Sequence, residues 1–391
     1  MQTHPPRHLF RTLWDVLKWV LVPAALLAAY LLFWPTPLNP YAWSPEPTPG
    51  TSGSPFRPTQ DLGKAAGLAG EAMTNRFTSS GKPNNFGPED VAVGPNDCLV
   101  YTGLGDGSIL RIDPRTGASS EYTNTGGRPL GVTFTPSGDR LYVADGHLGL
   151  VAVDAPGKVS VLVNELDGTP FGFADNLDVA PDGTVWFSAP TRDHTLEQVA
   201  LDVWDSRPTG RLVHYDPASG KATTVLDNLF YANGVAVAED GSFVLVAEFL
   251  AFRIVRYWIT GPRAGSHEIF IDNLPGYPDN ITRTPNGTFL VGLSLARVPK
   301  LDQARPKPWL VKLMYRLPPM VQPKPQFPGY LLELTRAGKV QRFLAAETPN
   351  DIAQITAGAA MPATCGMGSD VFVGSLLVKS VRRIPLSPAR E

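Results

Sequence analysis

Six similar units follow one another along the chain, and this repeat limits the possible folds more than any other feature. Each unit has an apolar strand, a turn rich in Gly, Asn, Asp or Pro, and a second strand. The units begin with DVAVGPNDCLVYTG, GVTFTPSGDRLYVAD, LDVAPDGTVWFSAP, GVAVAEDGSFVLVAE, NITRTPNGTFLVGL and IAQITAG. A period of about 40 to 50 residues with about four strands is typical of β-propeller blades, which need neighbours to bury their faces. The sequence therefore predicts an all-β, six-bladed β-propeller between about residues 85 and 386.

The composition agrees with many short elements joined by turns. The chain is 43% hydrophobic and 18% charged, and it contains 39 prolines and 37 glycines. Its formal net charge of -2 gives no general attraction to nucleic acid, so no nucleic-acid partner is expected. The third and fifth units carry insertions near residues 191–208 and 295–328. In a propeller such insertions become rim loops that can cover a central site.

Acidic and amide residues recur just before the first strand of four units. They are Glu89, Asp175 with Asn176, Asn233, and Asp279 with Asn280. Because the first strand of every blade lines the central channel, these side chains should converge on one axis. Grouped carboxylates and amides repel one another or lose solvation unless a cation joins them, and a set made only of oxygen donors favours Ca²⁺ over Zn²⁺. The pattern therefore predicts a calcium site, against the alternative of four independent turn residues.

The same residues carry a family resemblance. YTGLGDGSILRID, LYVADGHLGL, RPTGRLVHYD, ANGVAV, VLVAEFLAFRIVRYW, LPGYPDNI and RPKPWLVKLMYRLP occur in order. In combination they resemble the strictosidine-synthase-like six-bladed propellers, and within them the adipocyte plasma membrane-associated protein group. The wider superfamily contains paraoxonases, gluconolactonases and other calcium-dependent hydrolases. The resemblance implies that Glu89, Asn233, Asp279 and Asn280 are metal ligands. The remaining Asn-Asp pair of the superfamily falls on Asp175-Asn176 in reversed order, and we favour Asp175 as the ligand.

Two departures from the family patterns limit the chemistry. Leu130 stands where paraoxonases have a histidine, so a histidine proton relay is not expected there. Ala353 stands at the position matching the catalytic glutamate of plant strictosidine synthases, which argues against amine condensation. His147 and His194 are interpreted as polar loop residues.

The expected function is a membrane-anchored, calcium-dependent hydrolase of small esters or lactones. A bound Ca²⁺ would polarise the substrate carbonyl, and Asp279 or Asp175 would activate water or attack directly. Two alternatives stay open. One is a non-enzymatic binding propeller with structural calcium, and the other is a strictosidine-synthase-type condensing enzyme.

The N-terminus predicts a membrane anchor. Residues 19–34 contain no charged residue, while Arg7, Arg11 and Lys18 precede them and no Lys or Arg follows until Arg57. This asymmetry predicts a transmembrane helix within residues 1–34 with its N-terminus in the cytoplasm. A cleaved signal peptide is the alternative. Residues 35–60, rich in Pro, Ser, Thr and Gly, are interpreted as a stalk, which leaves residues 61–391 for a propeller on the periplasmic, lumenal or extracellular side.

The chain has two cysteines, Cys98 and Cys365. Both fall in the turn between the first two strands of a unit, one in the first unit and one in the last. Ring closure makes those two blades neighbours, so a disulfide between them is predicted, against the alternative of two unpaired small hydrophobic residues.

Overall fold

Antiparallel sheets arranged in a ring make up most of the protein. The computed structural model describes residues 7–50, 55–62, 66–68, 87–155, 157–166, 168–346, 352–368 and 370–386. Two short strands precede the ring, β1 (Gln60–Asp61) and β2 (Ala66–Leu68). The first blade contains β3 (Ala92–Val93), β4 (Val100–Gly103), β5 (Ser108–Ile112) and β6 (Ser119–Asn124). The second contains β7 (Pro129–Phe134), β8 (Leu141–Asp145), β9 (Gly149–Ala155) and β10 (Lys158–Val163).

The remaining blades follow in chain order after a small two-stranded sheet of β11 (Glu165–Leu166) and β12 (Thr169–Pro170). The third contains β13 (Leu177–Val179), β14 (Val185–Ala189), β15 (Gly210–Asp216) and β16 (Lys221–Leu229). The fourth contains β17 (Ala232–Val237), β18 (Phe243–Glu248), β19 (Arg253–Trp258) and β20 (His267–Ile271). The fifth contains β21 (Gly276–Arg283), β22 (Phe289–Ala296), β23 (Gly329–Leu334) and β24 (Val340–Ala346). The sixth contains β25 (Ile355–Ala360), β26 (Asp370–Ser375) and β27 (Val381–Pro385).

The innermost strands form a closed ring. The first strand of each blade contacts the first strand of the next, and β25 of the last blade contacts β3 of the first. These strands all run in the same direction along the channel axis. Their N-terminal ends therefore meet at one mouth of the channel. The predicted all-β, six-bladed propeller is confirmed.

Apolar clusters fill the spaces between neighbouring blades. Each of six buried clusters lies mainly between two adjacent sheets, and the largest also reaches Leu130 of blade two. Because both faces of a blade pack against neighbours, central strands are buried along their whole length, as in β18 and β26. Outer strands such as β6 and β16 have exposed positions facing solvent. This arrangement explains the sequence. Inner strands are continuous runs of Val, Leu and Ala because both of their faces are buried, and outer strands are more polar because they face solvent.

N-terminal strands and one disulfide close the ring. β2 pairs antiparallel with β27 and supplies the fourth strand of blade six, while β1 adds parallel to β24 at the edge of blade five. Cys98 of blade one and Cys365 of blade six form a disulfide with a Cα–Cα distance of 5.7 Å. The first and last blades are therefore joined covalently as well as by apolar packing.

A long helix begins the described chain. Helix α1 (Arg7–Phe33) covers the stretch predicted to be helical. No helix among the described residues is both long and apolar enough to cross a membrane. The predicted transmembrane helix within residues 1–34 is corrected on this point.

The segment interpreted as a stalk packs against the propeller. The backbone N–H groups of Asn39 and Tyr41 donate to Asp205, at 2.7 and 2.8 Å. The Trp43 ring lies against Phe230 and Phe252, with centroid distances of 5.2 and 6.0 Å. Residues 35–50 are thus held on the rim, while residues 51–54 of the predicted stalk lie outside the described residues.

The two insertions are helical and pack together. The insertion of blade three contains a 3₁₀ turn (Leu196–Gln198) and α2 (Val199–Asp205), and that of blade five contains α3 (Pro299–Ala304) and α4 (Pro308–Arg316). A small apolar cluster joins them, with the Trp204 and Tyr315 rings 5.6 Å apart. Arg305, which is only 1% exposed, donates to Ser206 Oγ at 2.5 Å. These contacts make the insertions one structured cap on the rim.

Candidate functional site

The predicted acids and amides lie in the N-terminal or middle part of the innermost strands or just before them. Asn233, Asp279 and Asn280 lie within β17 and β21 rather than ahead of them as the sequence suggested. All six are buried, with exposed fractions between 0 and 7%. They are Glu89, Asp175, Asn176, Asn233, Asp279 and Asn280. Close packing of adjacent inner strands holds them there: a Cβ added at Gly234 would lie 2.3 Å from the Asp279 carbonyl oxygen. The glycine after Asn233 therefore allows β17 to approach β21 closely enough for their polar ends to meet.

Three carboxyl groups from three parts of the ring influence one another. Burial raises the pKa of Glu89, and the neighbouring Arg128 charge partly offsets this effect. Burial, followed by the charges of Glu89 and Asp279, holds the pKa of Asp175 well above its usual range. Burial raises the pKa of Asp279 well above its usual range, and the charge of Glu89 adds to this effect. Hydrogen bonds from Ser294 and Asn233 partly offset it by lowering the pKa. We call Glu89, Asp175 and Asp279 the acid cluster.

Several oxygen atoms around the acid cluster are buried without a hydrogen-bond partner. They are Oδ1 of Asp175, Asn233, Asp279 and Asn280, contributed by blades three, four and five. Such atoms cost free energy unless a ligand completes their coordination, and an all-oxygen set suits a hard cation such as Ca²⁺. Within the described residues, no three His, Cys, Asp or Glu side chains are grouped to hold a metal on their own. The amides of Asn233 and Asn280 are therefore needed for any cation site here.

Asn176 has a different role from Asp175. Its side-chain oxygen accepts a hydrogen bond from the Val235 N–H at 2.7 Å, and its amide donates to Asp90 Oδ2 at 3.3 Å. Asp90 also accepts from the Val132 N–H at 3.0 Å, so these side chains link blades one to four below the acid cluster. Burial raises the pKa of Asp90 to about 7. The geometry thus favours Asp175 over Asn176 as the residue facing the cluster.

Arg128 is a site residue that the sequence pattern did not single out. Its Nη2 lies 3.3 Å from Glu89 Oε2, and the whole residue is 5% exposed. Arg128 was overlooked because, in the second unit, the position compared with the acids and amides of the other units is Leu130, two residues later. The Arg-Pro-Leu-Gly sequence was nevertheless a signal, because a charged residue directly before a buried inner strand needs a partner in the channel.

An apolar cap covers the mouth beside the acid cluster. Leu130, Phe173 and Tyr231 belong to one buried cluster, and Leu196 and Val199 of the blade-three insertion pack against it. Tyr231 has a left-handed backbone with φ of 60°. Burial raises the pKa of its hydroxyl, and so do the charges of Asp175 and other acids, which places Tyr231 beside the site.

Neither candidate histidine belongs to the acid cluster. His147 Nε2 lies 2.9 Å from Glu197, and His194 Nε2 lies 3.3 Å from Asp205, so both contact the blade-three insertion. Ala353 has no carboxylate. The residue is buried, and its backbone carbonyl accepts a hydrogen bond from the Ser375 hydroxyl at 2.6 Å.

The opposite end of the channel contains a cavity of about 270 Å³. Its lining comes from the later residues of the inner strands and includes Asp90, Asp178 and Arg283, but no member of the acid cluster. Both oxygens of Asp178 accept backbone hydrogen bonds, from Val179 and Val237. We place the candidate chemistry at the acid cluster rather than in this cavity, because the partnerless oxygen atoms are concentrated there.

The buried acids predict how stability depends on pH in a chelator. A carboxyl with a raised folded-state pKa stabilises the fold below its unfolded pKa of about 3.9, and this contribution is lost as the pH rises through the folded value. Asp175 and Asp279 are such groups, so the Tm should rise by several degrees as the pH falls from about 8 to about 5. Exposed Asp113 and Asp139 have lowered pKa values and act only at more acidic pH. Scanning calorimetry across this range is the test, and a Tm that falls steadily on acidification would contradict the prediction.

Comparison with known proteins agrees with this architecture. The family described as Strictosidine synthase matches residues 175–262, and the N-terminal region of strictosidine synthase-like proteins matches residues 79–112. The solved structures of a gluconolactonase from Xanthomonas campestris and of the calcium-binding protein regucalcin from Agrobacterium tumefaciens share the fold. Their TM-scores are 0.55 and 0.53 at 13% identity, covering 77% and 84% of this chain and 86% and 95% of theirs.

Two relatives are similar over most of their length. Strictosidine synthase-like protein 10 of Arabidopsis thaliana is 36% identical over 59% of this chain and 67% of its own. The adipocyte plasma membrane-associated protein of Danio rerio is 31% identical over 81% of this chain and 79% of its own. Alignments with strictosidine synthase-like proteins 13 and 7 of Arabidopsis thaliana cover 64% and 56% of those proteins. With these matches and the propeller architecture, the chain belongs to the strictosidine-synthase-like family.

Proposed function

We propose that this protein is a calcium-dependent hydrolase of small esters or lactones. The observation that carries the proposal is the group of buried oxygen atoms without partners around the acid cluster, which come from separate blades. The solved neighbours described as a gluconolactonase and as a calcium-binding protein support it through the shared fold alone.

Glu89, Asp175, Asn233, Asp279 and Asn280 are the residues that would hold Ca²⁺. When bound, the ion would supply a Lewis acid for the substrate carbonyl. The chain's own contribution is to fix these oxygens on rigid strands and to exclude water, since all five residues are at most 7% exposed.

Asp279 is the proposed general base, with Asp175 as the alternative. Burial raises its pKa, which makes the carboxylate a stronger proton acceptor than an exposed aspartate. In the reaction, Asp279 takes a proton from water as the water oxygen bonds to the carbonyl carbon. The ester C–O bond then breaks and the proton passes to the leaving alkoxide, giving an acid and an alcohol.

The disulfide bears on where the protein works. Such bonds persist in oxidising compartments, so we propose a periplasmic, lumenal or extracellular location for the propeller.

Calcium removal should abolish activity and lower stability together. A ligand that binds only the folded state stabilises it by about 2.7 kcal/mol at a hundredfold excess over Kd. The full-length chain should therefore lose hydrolysis of a panel of aryl esters and lactones in chelator, and its Tm should fall. Added Ca²⁺ should restore both properties better than Mg²⁺, which demands a stricter octahedral geometry. Melting and turnover that are indifferent to chelator and to Ca²⁺ would refute the proposal.

A further inference from the structure

Arg128 extends from the start of blade two toward the acid cluster. Its backbone N–H donates to Asp145 Oδ1 at 2.8 Å, which fixes the residue directly before β7. Its guanidinium is buried beside Glu89, and the charges of Glu89, Asp145 and Asp175 all act on it. The side chain is therefore held at the candidate site from both ends.

Only part of the guanidinium has a partner. Nη2 donates to Glu89 Oε2 at 3.3 Å and to the Gly87 carbonyl at 3.4 Å. Nη1 is buried and has no hydrogen-bond partner. A charged donor left alone in a buried position is costly, so its retention here calls for a ligand.

A cation alone cannot meet this requirement. It would complete the coordination of the partnerless oxygens of Asp175, Asn233 and Asp279, but Arg128 Nη1 is a donor and needs an acceptor. The second occupant of the site must therefore present an oxygen atom with a free lone pair.

The charges of the site indicate what kind of oxygen this is. If ionised, the three carboxylates of the acid cluster carry three negative charges, which one divalent cation and the Arg128 guanidinium together neutralise. Without Arg128 the loaded site would keep a net negative charge and would repel a developing oxyanion. Arg128 reduces the negative charge around the site, so an oxygen that gains negative charge can be stabilised beside its guanidinium.

We propose that Nη1 of Arg128 binds the substrate oxygen that becomes negatively charged during hydrolysis, and afterwards a carboxylate oxygen of the acid product. This inference rests on the proposed hydrolase function and adds a catalytic residue to it. As water adds to the carbonyl carbon, the C=O π electrons move to the oxygen, which accepts a hydrogen bond from Arg128. Re-formation of the C=O bond then expels the alkoxide, which takes the proton removed from water.

The test compares Arg128→Lys and Arg128→Met with the wild type in the full-length, calcium-saturated chain. Lys keeps the charge but loses the forked donor, and Met removes both. Loss of one oxyanion donor typically costs about a hundredfold or more in kcat. We therefore expect kcat to fall about tenfold in Arg128→Lys and about a hundredfold in Arg128→Met, with KM changed less than about threefold.

Two binding measurements separate this role from a structural one. By titration calorimetry, phenylacetate, a simple carboxylate, should bind the wild type and bind Arg128→Met at least about tenfold more weakly. Calcium affinity should be kept or increased in Arg128→Met, because a nearby positive charge is removed. Arg342→Lys is the matched control, since Arg342 Nη1 lies 2.8 Å from Glu333 in the outer part of blade five and should change none of these quantities.

The outcomes distinguish the two proposals. An active wild type whose kcat and phenylacetate affinity survive in Arg128→Lys and Arg128→Met refutes the role of Arg128 alone. A wild type that hydrolyses nothing, yet binds phenylacetate through Arg128, refutes the hydrolase and supports the anion contact. If the wild type neither hydrolyses esters nor binds phenylacetate, both are refuted. Should Arg128→Met fail to fold, as judged by its Tm, Arg128→Lys decides between these outcomes.

Discussion

Replacing Asp279 by Asn should lower kcat for ester or lactone hydrolysis by about a thousandfold while leaving most of the calcium-dependent stabilisation in place. General base catalysis typically contributes about 10²- to 10⁴-fold, and an amide cannot accept the proton. The amide oxygen can still coordinate a cation, and the substitution removes a buried carboxylate whose pKa is raised by burial. Steady-state kinetics and calorimetric melting with and without Ca²⁺ measure the two effects.

A matched control is Asp182→Asn, in the hairpin turn between β13 and β14. Asp182 is exposed and accepts a hydrogen bond from the Thr184 N–H at 3.0 Å, in the turn that follows β13 and thus at the end of that strand away from the acid cluster. This variant should keep full turnover. If Asp279→Asn also keeps it and Asp175→Asn loses it, Asp175 is the base. If both channel variants remain active, the proposed mechanism is wrong, and if the wild type shows no turnover, calcium would be structural only.

The blades could be predicted because their signals are local. Each hairpin combines an apolar run, a turn such as Asp182-Gly183 and a second apolar run, and these determine two adjacent strands without reference to the rest of the chain. The order of the strands then follows from the repeat, and closure of the ring follows from the number of blades.

The N-terminal strands could not be predicted in the same way. β2 has only three residues, Ala66–Leu68, and its partner β27 lies more than 300 residues later in the sequence. A short Ala-Gly-Leu segment has no alternation of polar and apolar residues, and its strand conformation depends entirely on pairing with a distant edge. The packing of Trp43 on the rim is non-local for the same reason.

The candidate site was only partly visible in the sequence. Convergence of the acids and amides follows from the geometry of inner strands, so their meeting could be predicted. Whether Asp175 or Asn176 faces the cluster depends on the hydrogen bond from Val235 to Asn176, which is a contact between blades. The role of Arg128 likewise depends on a side chain that reaches from blade two to Glu89 of blade one.

Removing the disulfide should lower the free energy of unfolding by about 3 to 5 kcal/mol. The bridge links residues 267 positions apart, and the chain-entropy model assigns about 5 kcal/mol to a loop of that size, less any strain in the folded state. It also fastens blade one to blade six, where the ring is otherwise closed by non-covalent contacts. These are the β2–β27 pairing, one apolar cluster and hydrogen bonds such as those from Thr356 to the Glu89 carbonyl and from Arg115 to the Cys365 carbonyl. The double variant Cys98→Ala/Cys365→Ala, unfolded in urea and followed by tryptophan fluorescence and circular dichroism, measures the loss.

Reductant provides the matched control for this effect. The reduced wild type should unfold at nearly the same urea concentration as the double alanine variant, because both lack the bridge, and the variant itself should not respond to reductant. The small remaining difference reports the packing of the sulfur atoms, since Cys365 is buried in the cluster between blades one and six. Because blades one and six would then be held only by non-covalent contacts, their interface should open first and the two probes should give separate transitions. Full alkylation of both cysteines in the unreduced native protein, or a wild type whose stability is unchanged by reductant, would show that the bridge does not close the ring.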